Sequence, residues 1–358
     1  MTGTPDDKGK VSLGVDAMGT DAGPAPLIEG AARALSAGAK AAITFFGDEA
    51  ILQPLLAQYS ALAQAKIENC TASVAMTDKP MHVLRRGRDT SMWKAIEAQK
   101  EGRVRAVVSG GNTGALMAVS RMQLGMIAGV DRPAITALWP TPRGRVVVLD
   151  VGANVEANER ELVCFAIMGE AFFRTLTGKT KPTVGLLNVG AEELKGHDLI
   201  RAAAKTLREA DPDMAFIGFV EGNDISEGVA DVVVTDGFTG NVALKSAEGA
   251  ARLVGGWIKE ALTGSLLAKA GALLMLGDLK KLKAKIDPSS VNGGVFLGVD
   301  GVVVKSHGGA DANGVASAIQ MATTLVGKGF RREVSETLAI VRARTEAAAI
   351  SNSIKAAE

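Results

Sequence analysis

Cysteine is nearly absent: Cys70 and Cys164 are the only two in 358 residues. Without a Cys-x-x-Cys spacing, neither a disulfide framework nor a zinc knuckle is in prospect. An excess of one charge is missing as well. Forty basic side chains face 39 acidic ones, a net +1, so the whole molecule has no field to draw it to nucleic acid, and a charged partner must meet a local patch. There is also no long apolar run. The most apolar stretch, Leu262–Leu276, is interrupted by Lys269 and several glycines and falls short of the roughly 20 residues that cross a bilayer. The first ten residues, MTGTPDDKGK, are polar and acidic where a signal peptide starts basic and turns apolar. They read as a disordered tail, 1–10, on a cytosolic chain.

What is present is the makeup of a globular protein with material for a sizeable core: 47% hydrophobic and 22% charged residues, which excludes collagen-like and wholly disordered classes. Short β-branched runs alternate with alanine-rich helical stretches, as in Val11–Val15, Pro24–Ala37 and Ala42–Phe46. That rhythm predicts an α/β fold, a mostly parallel sheet between two layers of helices. Further strands are expected at Arg105–Val108, Arg145–Asp150, Thr183–Asn188, Met214–Phe219 and Asp231–Thr235, each running into a glycine-containing loop. Loops leaving the carboxyl ends of parallel strands line one crevice, so the expectation is one site built from many segments. Residues 11–330 read as one catalytic unit. Within it, Ser246–Ile286 departs from the rhythm as two helical stretches broken near Gly264, a pair that could protrude. The end, 331–358, reads as a charged helical tail.

The strand-end loops suit anions. SGGNTGAL, Ser109–Leu116, opens a helix whose first N–H groups, at Asn112, Thr113 and Gly114, would lack partners and fit a phosphate; an ordinary turn capped by Asn112 or Thr113 fits the same residues. TDGFTGNVALK, Thr235–Lys245, brings glycines 237 and 240 for close backbone approach to a ligand, with Thr239, the Asn241 amide and Lys245 beside them. A β-turn plus cap is the alternative. LLNVGAEELKGHDL places Lys195 and His197 in a polar loop, where a lysine is usually just solvated. Asp16 and Asp21 in VDAMGTDAGP, and Asp150 in LDVGANVE, could hold a metal or act as acid and base, although Asp at a strand end commonly caps a turn. His307 in KSHGGADANGV is a general-base candidate or a structural hydrogen-bonder. No Walker loop, GxGxxG or GxSxG occurs, and Cys164 in LVCFAIM reads as core. The loops point to anion binding and positioning more than to covalent chemistry.

Taken in order, VDAMGTDAGP, SGGNTGAL, DRPAI, LDVGANVE, LLNVGAEELKGH, VVTDGFTGNVALK and SHGGADANGV closely resemble the bacterial acyl-acyl carrier protein:phosphate acyltransferases, the PlsX family, from residue 11 to about 328. The resemblance implies transfer of a long-chain fatty acyl group from the thioester of acyl carrier protein to inorganic phosphate, giving acyl phosphate for a membrane glycerol-3-phosphate acyltransferase in phospholipid synthesis. It also implies a fold similar to phosphate acetyltransferases and to isocitrate and isopropylmalate dehydrogenases, a homodimer at the inner face of the membrane, no cofactor and no metal. Residue by residue, the catalytic lysine falls on Lys195 and the catalytic asparagine on Asn241. Asn112 matches a further crevice position. His197 receives no catalytic role, while Asp16, Asp150, Asp236 and His307 are expected to shape or cap the loops, with a part in the chemistry left open.

Two surfaces are expected beside the site. HVLRRGRDTSMW offers Arg85, Arg86 and Arg88 to an acidic carrier protein, or simply a solvated helix. In LTGSLLAKAGALLMLGDLKKLKAKI, apolar Leu266, Leu273 and Leu274 precede Lys280, Lys281, Lys283 and Lys285, a pattern that fits an anionic membrane surface or a dimer interface. The competing readings of the whole chain are a short-chain acyl-CoA:phosphate acyltransferase, a metal- and NAD-dependent decarboxylating dehydrogenase, and a non-catalytic carrier-protein scaffold.

Overall fold

The computed structural model describes residues 9–210, 214–279 and 294–355, with side chains left undescribed at 210 and 345–355. The chain opens with β1 (Val11–Asp16), α1 (Ala25–Ser36), β2 (Ala41–Gly47), α2 (Glu49–Leu56), β3 (Lys66–Asn69), α3 (Pro80–Arg86) and α4 (Ser91–Lys100). It continues through β4 (Ala106–Ser109), α5 (Thr113–Leu124), β5 (Ala134–Thr141), β6 (Gly144–Leu149), α6 (Glu159–Thr177), β7 (Thr183–Leu187) and α7 (Asp198–Ala210). Then come β8 (Ala215–Val220), α8 (Gly222–Glu227), β9 (Val232–Val234), α9 (Gly237–Thr263) and α10 (Leu266–Leu274). The last elements described are β10 (Gly294–Leu297), β11 (Val302–Lys305), α11 (Ala312–Gly327) and α12 (Phe330–Lys355).

All strands join one 11-stranded sheet in the order β3-β2-β1-β4-β11-β10-β5-β6-β9-β7-β8. Strand alternation feeds two apolar layers. Ala106, Val108, Val147 and Leu149 face the layer with Leu27 and Ile28 of α1 and Phe165 and Phe172 of α6. Val107, Val146 and Val148 face the layer with Met92 and Trp93 of α4 and Leu116 and Val119 of α5. Strands buried on both faces read as continuous Val-rich runs for this reason.

The sheet is not uniformly parallel, and this changes where its loops go. β1, β4 and β11 run parallel; β10 then pairs antiparallel with β11 and with β5, and β5 antiparallel with β6. From β6 onward, β9, β7 and β8 are again mutually parallel. Three successive reversals leave the second set of strands pointing opposite to the first. The expected single row of carboxyl-end loops is therefore two rows of opposite sense. β5 and β10, the strands responsible, were not among the expected ones; each belongs to a local antiparallel pair that leaves no βαβ rhythm.

The stretch read as a tail after residue 330 is helical and attached to the body. Phe330, Val334, Leu338 and Val341 are buried, the Phe330 ring meets Phe172 edge-on at 6.0 Å, and Glu333 pairs with Arg174 at 2.5 Å. α9 and α10 form a helical pair broken at Gly264–Ser265, with Ser265 capping α10 through Ala268 N–H at 3.0 Å. Among the described residues, α9 buries only Gly237 and Gly240 and α10 buries none. Lys280, Lys281, Lys283 and Lys285, and the first eight residues, lie outside the described residues.

Candidate active site

The first row of strand ends, β1, β4 and β11, finishes in register at Asp16, Ser109 and Lys305. Asp16 is fully buried and accepts from Ser91 Oγ at 2.6 Å and Ser109 Oγ at 2.7 Å. Burial pushes its carboxyl up, and the two hydroxyl donors work against that shift. Lys305 Nζ donates to Gly110 O at 3.2 Å and to Ser306 O. Burial pushes this ammonium down to about 8, with Asp16 and Asp21 opposing. A lysine whose folded pKa lies below its unfolded value costs stability fully below the folded pKa, and the cost is relieved as pH rises toward the unfolded value of 10.5. Urea unfolding should therefore show Lys305→Met more stable than wild type at pH 7, with the gap narrowing between about pH 8 and pH 10. A gap independent of pH would contradict the buried-ammonium assignment.

At the same edge Asn112 works as a clamp. Its Oδ1 caps α5 through Ala115 N–H at 3.0 Å, while Nδ2 donates to Met76 O at 2.8 Å and Asp78 O at 2.9 Å. The side chain is thus spent on structure, and the capping alternative describes it. The N–H groups of Thr113 and Gly114 have no acceptor among the described residues. Such orphan donors at a 12-residue helix start suit an anion.

The second row, β6, β9 and β7, carries Asp150, Asp236 and Asn188. Asp150 is buried and gathers its own loop: its carboxylate accepts from Ile135 N–H at 3.0 Å, Ala153 N–H at 3.0 Å, Asn154 N–H at 2.7 Å and Asn154 Nδ2 at 2.9 Å. Burial still holds its carboxyl above the ordinary value. Asp236 caps α9, accepting from Thr239 N–H at 2.8 Å and Thr239 Oγ1 at 2.9 Å. The segment expected as a ligand-facing loop is therefore a helix start. A Cβ at Gly240 would lie 1.9 Å from Asp150 O, and one at Gly237 2.3 Å from Asn154 O. These glycines admit the 150–154 loop to the helix, rather than a ligand. One turn in, Asn241 is exposed and donates from Nδ2 to Val151 O at 3.2 Å.

Lys195 sits in the loop after β7, half-exposed, with Nζ 2.9 Å from Glu192 Oε1. The hydrogen bond and the charge of that carboxylate hold the ammonium above the ordinary lysine value. Lys195, Thr239, Gly240 and Asn241 thus share the β6–β9–β7 row, whereas Asn112, Thr113 and Gly114 share the β1–β4–β11 row. α9 joins the two. Lys245, one turn beyond Asn241, lies close enough to His307 to help burial and Lys305 depress the imidazole's pKa.

Of the two cysteines, Cys70 follows β3 and Cys164 lies in α6. Burial pushes both thiols up to about 11, which disfavours the nucleophilic thiolate. Among the described residues, no three His, Cys, Asp or Glu side chains gather as metal ligands, and no helix is long and apolar enough to cross a membrane. Arg85 and Arg86 at the end of α3, and Arg88 just beyond, are exposed without ion pairs among the described residues. Leu266, Leu267, Leu273 and Leu274 of α10 are largely exposed. Sequence reasoning missed Asn188, Glu192 and Arg201, whose hydrogen-bonded grouping around Lys195 depends on the folded loop.

A sheet of this order with helices on both faces defines an α/β protein of phosphotransacetylase architecture. A phosphotransacetylase from Streptococcus pyogenes matches it with a TM-score of 0.59 over 88% of this chain and 94% of its own, at 14% identity. Residues 11–333 match the family described as fatty acid synthesis protein. The phosphate acyltransferase of Maricaulis maris (strain MCS10) is 54% identical over 331 residues, 91% of this chain and 94% of that protein; that of Caulobacter vibrioides is 52% identical over 327 residues, 91% of each. The chain belongs to this family of phosphate acyltransferases and is an enzyme.

Proposed function

We propose that this enzyme transfers a long-chain fatty acyl group from acyl carrier protein to inorganic phosphate, releasing acyl phosphate and the free carrier thiol for phospholipid synthesis. The observation that carries the reading is the placement of the Lys195 ammonium and the Asn241 amide on one row of strand ends, in a phosphate acyltransferase whose two thiols are held protonated by burial. A phosphate oxygen attacks the thioester carbonyl, the C–S bond breaks, and the carrier thiolate leaves to take a proton from water. With no covalent intermediate, catalysis rests on holding two reactants together and on donors aimed at the developing oxyanion. Lys195 exchanges Glu192 for phosphate, and Asn241 turns its amide from Val151 O to the oxyanion. Thr239 and Gly240 shape the helix start beside them. The open N–H groups at Thr113 and Gly114 suit an anionic group of the substrates.

Exposed apolar side chains support an acyl donor: Val189 and Leu194 lie close in sequence to Lys195, and Phe238 and Val242 flank Asn241. The assay is palmitoyl-acyl carrier protein with inorganic phosphate and no added metal or nucleotide. Phosphate-dependent release of carrier thiol together with hydroxylamine-trappable acyl phosphate is the expected result. Thiol release without acyl phosphate would make it a thioesterase, and preference for a short-chain acyl-CoA would replace the donor.

The free guanidinium groups of Arg85, Arg86 and Arg88 suit docking of the acidic carrier, since an unpaired cation adds steering without breaking an internal pair. Charge reversal at Arg85 and Arg86 should raise the KM for acyl-carrier donor about tenfold at low salt and leave turnover at saturation unchanged; an unaltered KM removes them from the docking surface. The exposed leucines of α10 and the length of α9 support a homodimer whose helical tip touches an anionic membrane beside the glycerol-3-phosphate acyltransferase. Co-sedimentation with anionic vesicles is expected, and protein left wholly in the supernatant would refute the membrane contact.

A further inference from the structure

We infer that Asn188 is a positioning residue for Lys195, holding the main chain from which the ammonium is presented; this rests on the role given to Lys195 above. Asn188 follows the last residue of β7, is 8% exposed, and is tied to β8 by its N–H to Val220 O at 2.8 Å. Its Nδ2 reaches across the loop to Gly190 O at 3.1 Å and Lys195 O at 3.1 Å. From the other side, Arg201 of α7 donates to Leu194 O at 3.1 Å and Gly196 O at 2.7 Å. Three successive carbonyls, at 194, 195 and 196, are therefore pinned while the Lys195 side chain itself stays half-exposed.

The amide can sit only one way round. Turned over, Oδ1 would face two carbonyl oxygens. In the observed orientation Oδ1 is buried without a donor and packs against Gly196. Gly196 has φ +84°, and a Cβ there would come 1.9 Å from Asn188 Oδ1, so the residue after Lys195 has to be glycine for the clamp to close. A buried acceptor left unsatisfied is uncommon and calls for an explanation. Here the same amide fixes a loop whose side chains at residues 189 and 191–195 are all exposed and so hold it in place poorly. An exposed lysine on an untethered loop would lose its place relative to the thioester, and a misplacement of about 1 Å can cost about 10²-fold in rate.

The test is a double-mutant cycle with palmitoyl-acyl carrier protein and inorganic phosphate. Asn188→Ala and Asn188→Asp, the latter matched in shape but without the donor, should each lower kcat/KM for phosphate about 10²-fold, leave the KM for the acyl donor unchanged, and retain a cooperative thermal transition. In a Lys195→Ala background, followed by single turnover, either change should have no further effect, because both act through the same group. Normal kinetics in Asn188→Asp, or a loss that persists undiminished in the Lys195→Ala background, would overturn the proposal and leave Asn188 a residue of the fold. If Asn188→Ala does not fold, Asn188→Asp and Arg201→Met, which frees the two flanking carbonyls, decide the question by the same readout. Normal turnover in Lys195→Ala alone would instead remove the catalytic role of Lys195, a result distinct from any outcome at Asn188.

Discussion

Replacing Lys195 with alanine is expected to cut turnover about 10²–10³-fold, and replacing Asn241 with alanine to do the same. Both side chains are dispensable for folding. Lys195 is engaged by the exposed carboxylate of Glu192, and Asn241 by one carbonyl, that of Val151. What each loses is a donor for charge that exists or grows on the reacting oxygens, in a step with no enzyme nucleophile to share the work. The measurement is hydroxylamine-trapped acyl phosphate under saturating palmitoyl-acyl carrier protein and phosphate, with the unfolding transition recorded alongside. Near-normal turnover in either variant, with the fold intact, would sink that residue's assignment. The charge state gives a second check. Because Glu192 holds the Lys195 ammonium above the ordinary lysine value, wild-type kcat/KM for phosphate should show no alkaline loss from this group below the ordinary lysine range. Glu192→Gln removes that support, so the alkaline limb should move to lower pH.

Gly240→Ala is expected to damage both stability and turnover. A Cβ at this position falls 1.9 Å from the carbonyl oxygen of Asp150, a backbone atom that cannot rotate away. The start of α9 must then lift off the 150–154 loop, taking Asn241 from its place beside Val151 and Gly152. Overpacking of this kind costs about 1–3 kcal/mol, and displacement of Asn241 by about 1 Å should lower turnover roughly 10²-fold. Gly249→Ala, in the same helix with nothing within 4 Å of a new Cβ, is the control. Removing a helical glycine there should be neutral or stabilise by about 0.5–1 kcal/mol. Equal behaviour of the two variants in chemical unfolding and in the acyl phosphate assay would show that the contact with Asp150 does not constrain the helix start.

The loops were legible from sequence because they are local. SGGNTGAL, LDVGANVE and VVTDGFTGNVALK each follow a β-branched run and open a turn or helix, and the structure puts a strand end before every one. Their internal bonds were less so. That Asn112 spends its amide on residues 76 and 78, and that Asp150 gathers four N–H groups from two segments, depends on how the chain returns to the same place. The glycines at 237 and 240 looked like room for a ligand, since absence of a Cβ is visible in sequence while the neighbour filling the space is not. β5 and β10 left no such signal because a strand in an antiparallel pair needs no crossover helix, and so shows no alternation to read.

By itself the sequence determined the α/β class, the two-sided burial of the Val-rich strands, the caps of the helices and the family to which the chain belongs, because each depends on residues near one another along the chain or on motifs in fixed order. Only the tertiary structure decided that the carboxyl-end loops form two rows of opposite sense, that Asn112 spends its amide on residues 76 and 78, and that Asp150 accepts from Ile135 N–H. Those arrangements come from strand reversals and from contacts between segments far apart in sequence, and neither spacing nor composition encodes the direction in which a distant strand will run.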